Sequence, residues 1–295
     1  MTANKWSLGI QPINWSNDDF HDLGGEIPLE QCLGEMQEAG YEGTELGHKF
    51  PTDDTLQDLL ASYGLRLASG WHSTYLLSQS LADEEASFLT HLDRLKACGS
   101  EVVIVAECTD RTYDDRISPF DLSAPVASLE RLCRGLDRLS ELAAGEGFRV
   151  AYHHHLGTVI QNEAEILALL DGTQKLGLAL DTGHLTAAGV DPVGLIQRHG
   201  RRVAHVHFKN VRPAVVADAR AAQWSFERAV REGIFTVPGD GDGVDFAAVT
   251  AALEGAGYEG WVIVEAEQDP EKANPLENAR LARTHLTDLF QRRTS

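Results

Sequence analysis

Leu176-Gly177-Leu178-Ala179-Leu180-Asp181-Thr182-Gly183-His184 is an apolar run that stops abruptly at an acid and an imidazole. It shows no alternation of apolar and polar residues, which marks a strand buried on both faces, the usual state of a parallel strand. Working outward, comparable β-rich runs predict strands at Trp6–Ile10, Gly43–Leu46, Arg66–Gly70, Val102–Ala106, Arg149–His153, Val203–Phe208 and Trp261–Glu265. With Leu176–Asp181 that makes eight. The segments between them carry helical spacing. Leu29, Cys32, Leu33 and Met36 recur at i, i+3, i+4 and i+7, and Leu132, Leu136, Leu139 and Leu142 share a face. Gly40, Gly64 and Gly99 follow such helices, where the chain often needs a positive φ.

Eight β–α alternations in 295 residues, with no Pro/Gly/Ser-rich linker, predict an α/β fold: a single (β/α)8 TIM barrel over 1–295. A doubly wound sheet competes, but Ile10-Gln11-Pro12-Ile13-Asn14-Trp15 supplies no Gly-rich phosphate turn after the first strand. Two connections exceed what a barrel needs. Asp110–Ser123 is polar and turn-rich, and is as readily a surface excursion as a lid. The insertion around 212–245 holds a helical patch, Ala214–Glu232, followed by Gly233–Gly243. It joins strands that carry dense chemistry, so a covering role is expected of it.

Composition removes several function classes. The chain has 45 acidic against 25 basic side chains, a net charge of −20, which repels nucleic acid and anionic membrane alike. No apolar run reaches the roughly 18 to 20 residues of a membrane span, and Met1–Ser7 lacks the order of a signal peptide. Cys32, Cys98, Cys108 and Cys133 show no CxxC spacing and read as reduced thiols. A cytoplasmic protein is expected.

In such a barrel the active site lies at the C-terminal ends of the strands. Four consecutive strands end in metal-capable residues: Tyr152-His153-His154-His155, Leu180-Asp181, Ala204-His205-Val206-His207-Phe208-Lys209 and Val264-Glu265-Ala266-Glu267. Alternation puts His153 and His155 on one side, and likewise His205, His207 and Lys209. A lone histidine at a strand end is more often structural than a ligand. Four convergent strand ends reverse those odds, because burying acids and imidazoles together costs desolvation that pairing or a cation must offset. An imidazole and carboxylate set without thiolate suits Mn2+, Co2+, Fe2+ or Zn2+ better than Ca2+. Such an ion polarises a carbonyl and an adjacent hydroxyl of a bound polyol. Earlier strands add Asn14, Trp15, Glu45, His48, His72 and Glu107, of which Glu45 and His72 are the stronger pocket residues. Trp15 and Trp71 are of a size to wall a sugar, or to pack the barrel. Pro238-Gly239-Asp240-Gly241-Asp242-Gly243 fits neither a phosphate loop nor a calcium loop, and reads as a flexible turn.

At these residues the chain resembles the xylose-isomerase-like barrel superfamily, whose pattern is Glu, Asp, His, Glu at the ends of strands five to eight. Within it, the chain is more specifically similar to the inosose dehydratase family. That similarity rests on Gly9-Ile10-Gln11-Pro12-Ile13-Asn14-Trp15, Gly43-Thr44-Glu45-Leu46-Gly47, Tyr152–Thr158 and His205-Val206-His207-Phe208-Lys209-Asn210-Val211-Arg212. It continues through Phe235–Gly241 and Val264–Pro270. The resemblance implies dehydration of 2-keto-myo-inositol (scyllo-inosose), a cyclic polyol ketone, to a trihydroxycyclohexane-1,2-dione. It implies a divalent ion, Mn2+ or Co2+ before Zn2+ or Fe2+, held by His153, Asp181, His207 and Glu265, with Glu267 of the same side parity as Glu265. His153 stands where many relatives carry Glu, so one of the two opposed carboxylate bases of an epimerase is missing. Elimination suits that set better than reversible inversion.

The chemistry needs a base at the α-carbon and an acid at the departing β-hydroxyl. Glu265 is assigned as ligand and base, Lys209 or His155 as acid or oxyanion partner. Asn14, Trp15, Glu45, His72, His184 and Arg212 are expected to bind substrate. An isomerase or epimerase on the same scaffold is the nearest alternative. A nuclease conflicts with the charge, and a sugar-binding module would need no metal. A homo-oligomer is expected, with the apolar stretch Phe226–Phe235 contributing.

Overall fold

The computed structural model describes residues 6–109, 118–120 and 128–291. Eight strands, all paired in parallel, form the central sheet. They are β1 (Trp6–Ile10), β2 (Gly43–Glu45), β3 (Arg66–Ser69, resumed as Trp71–Thr74), β4 (Val102–Glu107), β5 (Arg149–His153), β6 (Gly177–Asp181), β7 (Val203–Phe208) and β8 (Gly260–Val264). The first half of β3 pairs with β2 and its second half with β4, so the sheet curls round and meets itself at that strand. Gly70 is the join. Its carbonyl accepts from Ile104 N at 3.0 Å, and a Cβ there would lie 2.9 Å from Leu95 and 3.0 Å from Leu46. The expected strand Arg66–Gly70 therefore continues to Thr74. That extension carries the third strand up to the mouth.

Helices follow the strands and cover the sheet. Leu129–Gly145 buries Leu132, Leu136 and Leu139 and leaves Leu142 partly exposed, while Leu29–Glu38 buries Cys32, Leu33 and Met36. The main apolar core lies between these helices and the sheet. A second, small cluster of Ile104, Ala151, Ala179 and Ala204 is separate from it. Ala151 and Ala179 sit two residues before His153 and Asp181, hence on the same face and one layer deeper. Small side chains at that layer leave depth beneath the polar groups. Among the described residues no helix is long and apolar enough to cross a membrane.

The insertion after β7 departs from expectation. Asn210–Val211 pairs antiparallel with Phe235–Thr236 and closes a loop around two short helices, Pro213–Ala221 and Phe226–Arg231. The single patch Ala214–Glu232 is broken at residues 222–225, where Gln223 takes φ 51° and Ser225 caps the second helix. Phe226 and Phe235 are buried within the chain, against His155 and His184, so they offer no apolar face to a second copy. The turn 238–243 is held down rather than loose: Asn210 Nδ2 donates to Asp240 O and Gly241 O. Of the connection 110–123, only residues 118–120 fall within the described residues.

Candidate active site

A cavity of about 250 Å³ opens where the strands end, lined by Gln11, Ile13, Glu45, Trp71, Ser73, Ile104, His153, His155, His207, Glu265 and Glu267, with Asp18, Asp19, Tyr75 and Cys108. Most inward side chains follow from strand alternation: Ser69, Trp71 and Ser73 from β3, His153 at the end of β5 with His155 two residues beyond it, and His205 and His207 from β7.

Four donor atoms converge on the cavity floor. One ligand atom each from His153, Asp181, His207 and Glu265 lies within 4.8 Å of all the others, and all four residues are buried. His153 Nε2 is 3.2 Å from His207 Nδ1 and 3.5 Å from Asp181 Oδ2, which is 3.7 Å from His207 Nδ1. Glu265 Oε2 abuts the same nitrogen. Ligands about 2.0–2.2 Å from a common ion stand roughly this far apart from one another. The local fold prepares Asp181 for the task. As the cap of helix Thr182–Ala188 its Oδ1 accepts from His184 N at 2.8 Å, and Oδ2 accepts no hydrogen bond although buried. A buried carboxylate oxygen that accepts no hydrogen bond, facing two imidazoles and a second carboxylate with Lys209 Nζ 3.4 Å away, sits in a site that fits a cation.

Beside this floor stands a proton-bearing pair. His155 Nε2 lies 3.1 Å from Glu267 Oε1, and Nδ1 lies 2.7 Å from Leu156 O. Both neighbours can only accept, so both ring nitrogens are donors and the ring is an imidazolium. Burial opposes that charge, but the Glu267 carboxylate outweighs it and raises the pKa of His155. Lys209 Nζ is 2.5 Å from Glu267, 2.7 Å from Glu265 and 3.4 Å from Asp181. It is wholly enclosed, and the three acids overcome burial to hold it charged above the ordinary lysine range. Burial pushes the Asp181 and Glu267 carboxyls up, yet the Lys209 ammonium holds both well below the usual carboxylate range. His207 shows the field of the floor most directly. Despite burial, Glu45 and Glu265 raise its affinity for a proton well above that of free imidazole. In the absence of a metal ion, a proton is the cation those carboxylates attract.

Residues 16–289 match the xylose isomerase-like TIM barrel family. The chain is 44% identical to inosose dehydratase of Geobacillus thermodenitrificans (strain NG80-2), over 97% of both chains. It is 43% identical to inosose dehydratase of Lacticaseibacillus casei, over 95% of both. The chain belongs to the inosose dehydratase family of these barrels. Among solved structures, D-allulose 3-epimerase from Methylomonas sp. superposes with a TM-score of 0.66 at 20% identity, over 96% of this chain and 98% of that one, a likeness of fold.

Within this member of the inosose dehydratase family the expected site residues divide by position. His153, His155, His207, Glu265 and Glu45 line the cavity, and Asp181 closes its floor. Lys209 is wholly buried among the acids Asp181, Glu265 and Glu267 and is not part of the cavity lining. His184 is also buried: its Nδ1 accepts from Leu156 N at 3.3 Å and its Nε2 meets Lys209 Nζ at 3.0 Å. Four residues expected to bind substrate sit elsewhere. Asn14 Nδ2 donates to Gln11 O at 2.7 Å inside the turn after β1, and Trp15 is buried with its Nε1 on Glu35. His72 follows the alternation that turns Ser69, Trp71 and Ser73 inward, so it faces out against Phe88 and His91. Arg212 is spent on the insertion, donating to Gly233 O, Phe235 O and Thr236 and pairing with Asp240.

Sequence reasoning missed Gln11, Ile13 and Ser73. The signal for Ser73 was the same alternation. Nothing in the sequence announced that the turn at Pro12–Asn14 presents Gln11 and Ile13 instead of its own Asn14 and Trp15. Glu107 ties the mouth together, accepting from Thr74 Oγ1 and Leu76 N.

Proposed function

We propose that this chain dehydrates an inosose, taking 2-keto-myo-inositol to a trihydroxycyclohexane-1,2-dione, with a divalent ion at His153, Asp181, His207 and Glu265. The observation that carries the reading is the juxtaposition, in one cavity, of that four-donor floor with the His155–Glu267 pair. The donor set, two imidazoles and two carboxylates without sulfur, favours Mn2+ or Co2+, with Zn2+ or Fe2+ next. A bound ion would polarise the ketone and stabilise the charge of the enolate as it develops.

The remaining work falls to the side chains. Glu267, kept ionised by Lys209, takes the proton α to the ketone. His155, already carrying a proton on Nε2, gives it to the departing β-hydroxyl, which leaves as water. The proton on Glu267 then crosses the 3.1 Å hydrogen bond to His155, and both groups return to their starting state. One C–H and one C–O bond are broken and one C=C is made, which gives a 2-hydroxy-enone; transfer of its enol proton from oxygen to the β-carbon then yields the 1,2-dione. Lys209 keeps the two carboxylates in register. Trp71, whose ring stands edge-on to His153 and His155, offers an apolar face to the carbon skeleton. Residues 1–295 act as one barrel domain, and four cysteines without a disulfide suit the cytoplasm.

Metal-stripped protein is the test, given scyllo-inosose with and without Mn2+ or Co2+ while dione absorbance is followed. Metal-dependent dione formation is expected. Solvent deuterium entering the substrate without loss of water would replace dehydration by epimerisation.

A further inference from the structure

Glu45 lines the cavity, and its carboxylate is engaged by side chains of two other strands. It arises from β2, and its Oε1 accepts from Ser69 Oγ at 2.5 Å and from His205 Nε2 at 2.6 Å. His207 Nε2 lies 3.1 Å from Oε2 and 3.3 Å from Oε1. A carboxylate can only accept, so the ring proton of His207 sits on Nε2. The other nitrogen, Nδ1, faces His153 Nε2, Asp181 Oδ2 and Glu265 Oε2, where a proton and a metal ion compete for its lone pair; with Nε2–H held by Glu45, an ion at those donors would be bound through Nδ1. A histidine that binds metal through one nitrogen is held by the hydrogen bond its other nitrogen makes. Glu45 Oε1 is thus committed to β3 and β7, while Oε2 is buried beside His207.

We infer that Glu45, braced by Ser69 and His205, is a positioning residue that fixes the Nε2–H tautomer of His207 and aims its Nδ1 into the cation site. The inference rests on the metal-assisted reading above. Glu45, His205 and His207 also form a three-donor group of their own. Ser69 and His205 already donate to Oε1, so that group is knit in part by its own hydrogen bonds.

Two measurements on the full chain test this. Co2+ titration followed by visible absorbance compares wild type, Glu45→Gln and Ser69→Ala, with far-UV circular dichroism as the control for folding. Glu45→Gln is expected to weaken Co2+ binding about 10–100-fold and to shift the cobalt bands, and Ser69→Ala to act in the same direction with smaller size. Independently of any variant, long-range 1H–15N spectra of the zinc-loaded wild type, labelled at histidine, are expected to place the His207 proton on Nε2. Wild-type affinity and bands in Glu45→Gln, or a proton on Nδ1, would overturn the positioning role alone. A wild type that takes up no Co2+ would overturn the metal-assisted reading with it.

Discussion

His72 and His207 are both strand residues, one half-buried on the outer side of the barrel wall and one buried on the inner side. His72 faces a helix, with the rings of Phe88 and His91 5.5 and 5.4 Å away. Burial, helped by His91, pushes its pKa down to about 4. His207 faces the interior, where Glu45 and Glu265 overcome burial and raise its pKa well above the ordinary value. The residue type is the same, yet the response to a proton is opposite, and the more deeply buried ring is the one that holds its proton more tightly. What burial does to an imidazole is decided by the company it keeps. The inner side of the wall is a cation trap, while the outer side at His72 offers a phenyl ring and a second imidazole.

Removing a charge from the trap should have the largest effect. Asp181→Asn keeps a cap oxygen for His184 N but deletes the carboxylate at the floor. Turnover is expected to fall by about 10³-fold or more, with loss of bound metal measured by elemental analysis. An active, metal-replete Asp181→Asn would remove the distinction between the two sides. His155→Gln should spare metal content, because His155 stands beside the floor and not in it. The proton transfer would suffer, with kcat lowered about 10²–10⁴-fold.

The smallest effect belongs to the outer face, and there it concerns stability. Below pH 6.5 the unfolded His72 ring takes a proton that the folded ring refuses until about pH 4. Stability from keeping it neutral is therefore complete above that window and drains away as pH falls through it. His72→Leu should remove this acid sensitivity, worth about 2 kcal/mol at pH 5, in urea melts at pH 5 and pH 7. A slope against pH unchanged by the substitution would mean that His72 is not neutral in the fold.

The same contrast marks how much was legible in the sequence. Strands β5 to β8 announced themselves, since each is an apolar run that ends in His, Asp or Glu, and the barrel fixes which end bears the site. Glu265 and Glu267 were both named because parity cannot separate them. Their difference is a matter of partners, His207 for one and His155 for the other. His72 could have been excluded by counting in twos from Ser69. Asn14 and Trp15 could not, because the 3-10 turn Pro12–Asn14 sets their direction through contacts with Val264 and Glu35, distant in the chain. Arg212 looked like a substrate donor from its place after a strand. The antiparallel pairing of residues 210–211 with 235–236 diverts it to the insertion, and that pairing spans too many residues to be read locally.

Anomalous diffraction at the cobalt edge, from crystals of the Co2+-loaded protein, tests the central claim most directly. One ion per chain is expected, ligated by His153, Asp181, His207 and Glu265. No peak there, or a peak within Glu45, His205 and His207 or within His155, His184 and Glu267, would contradict it.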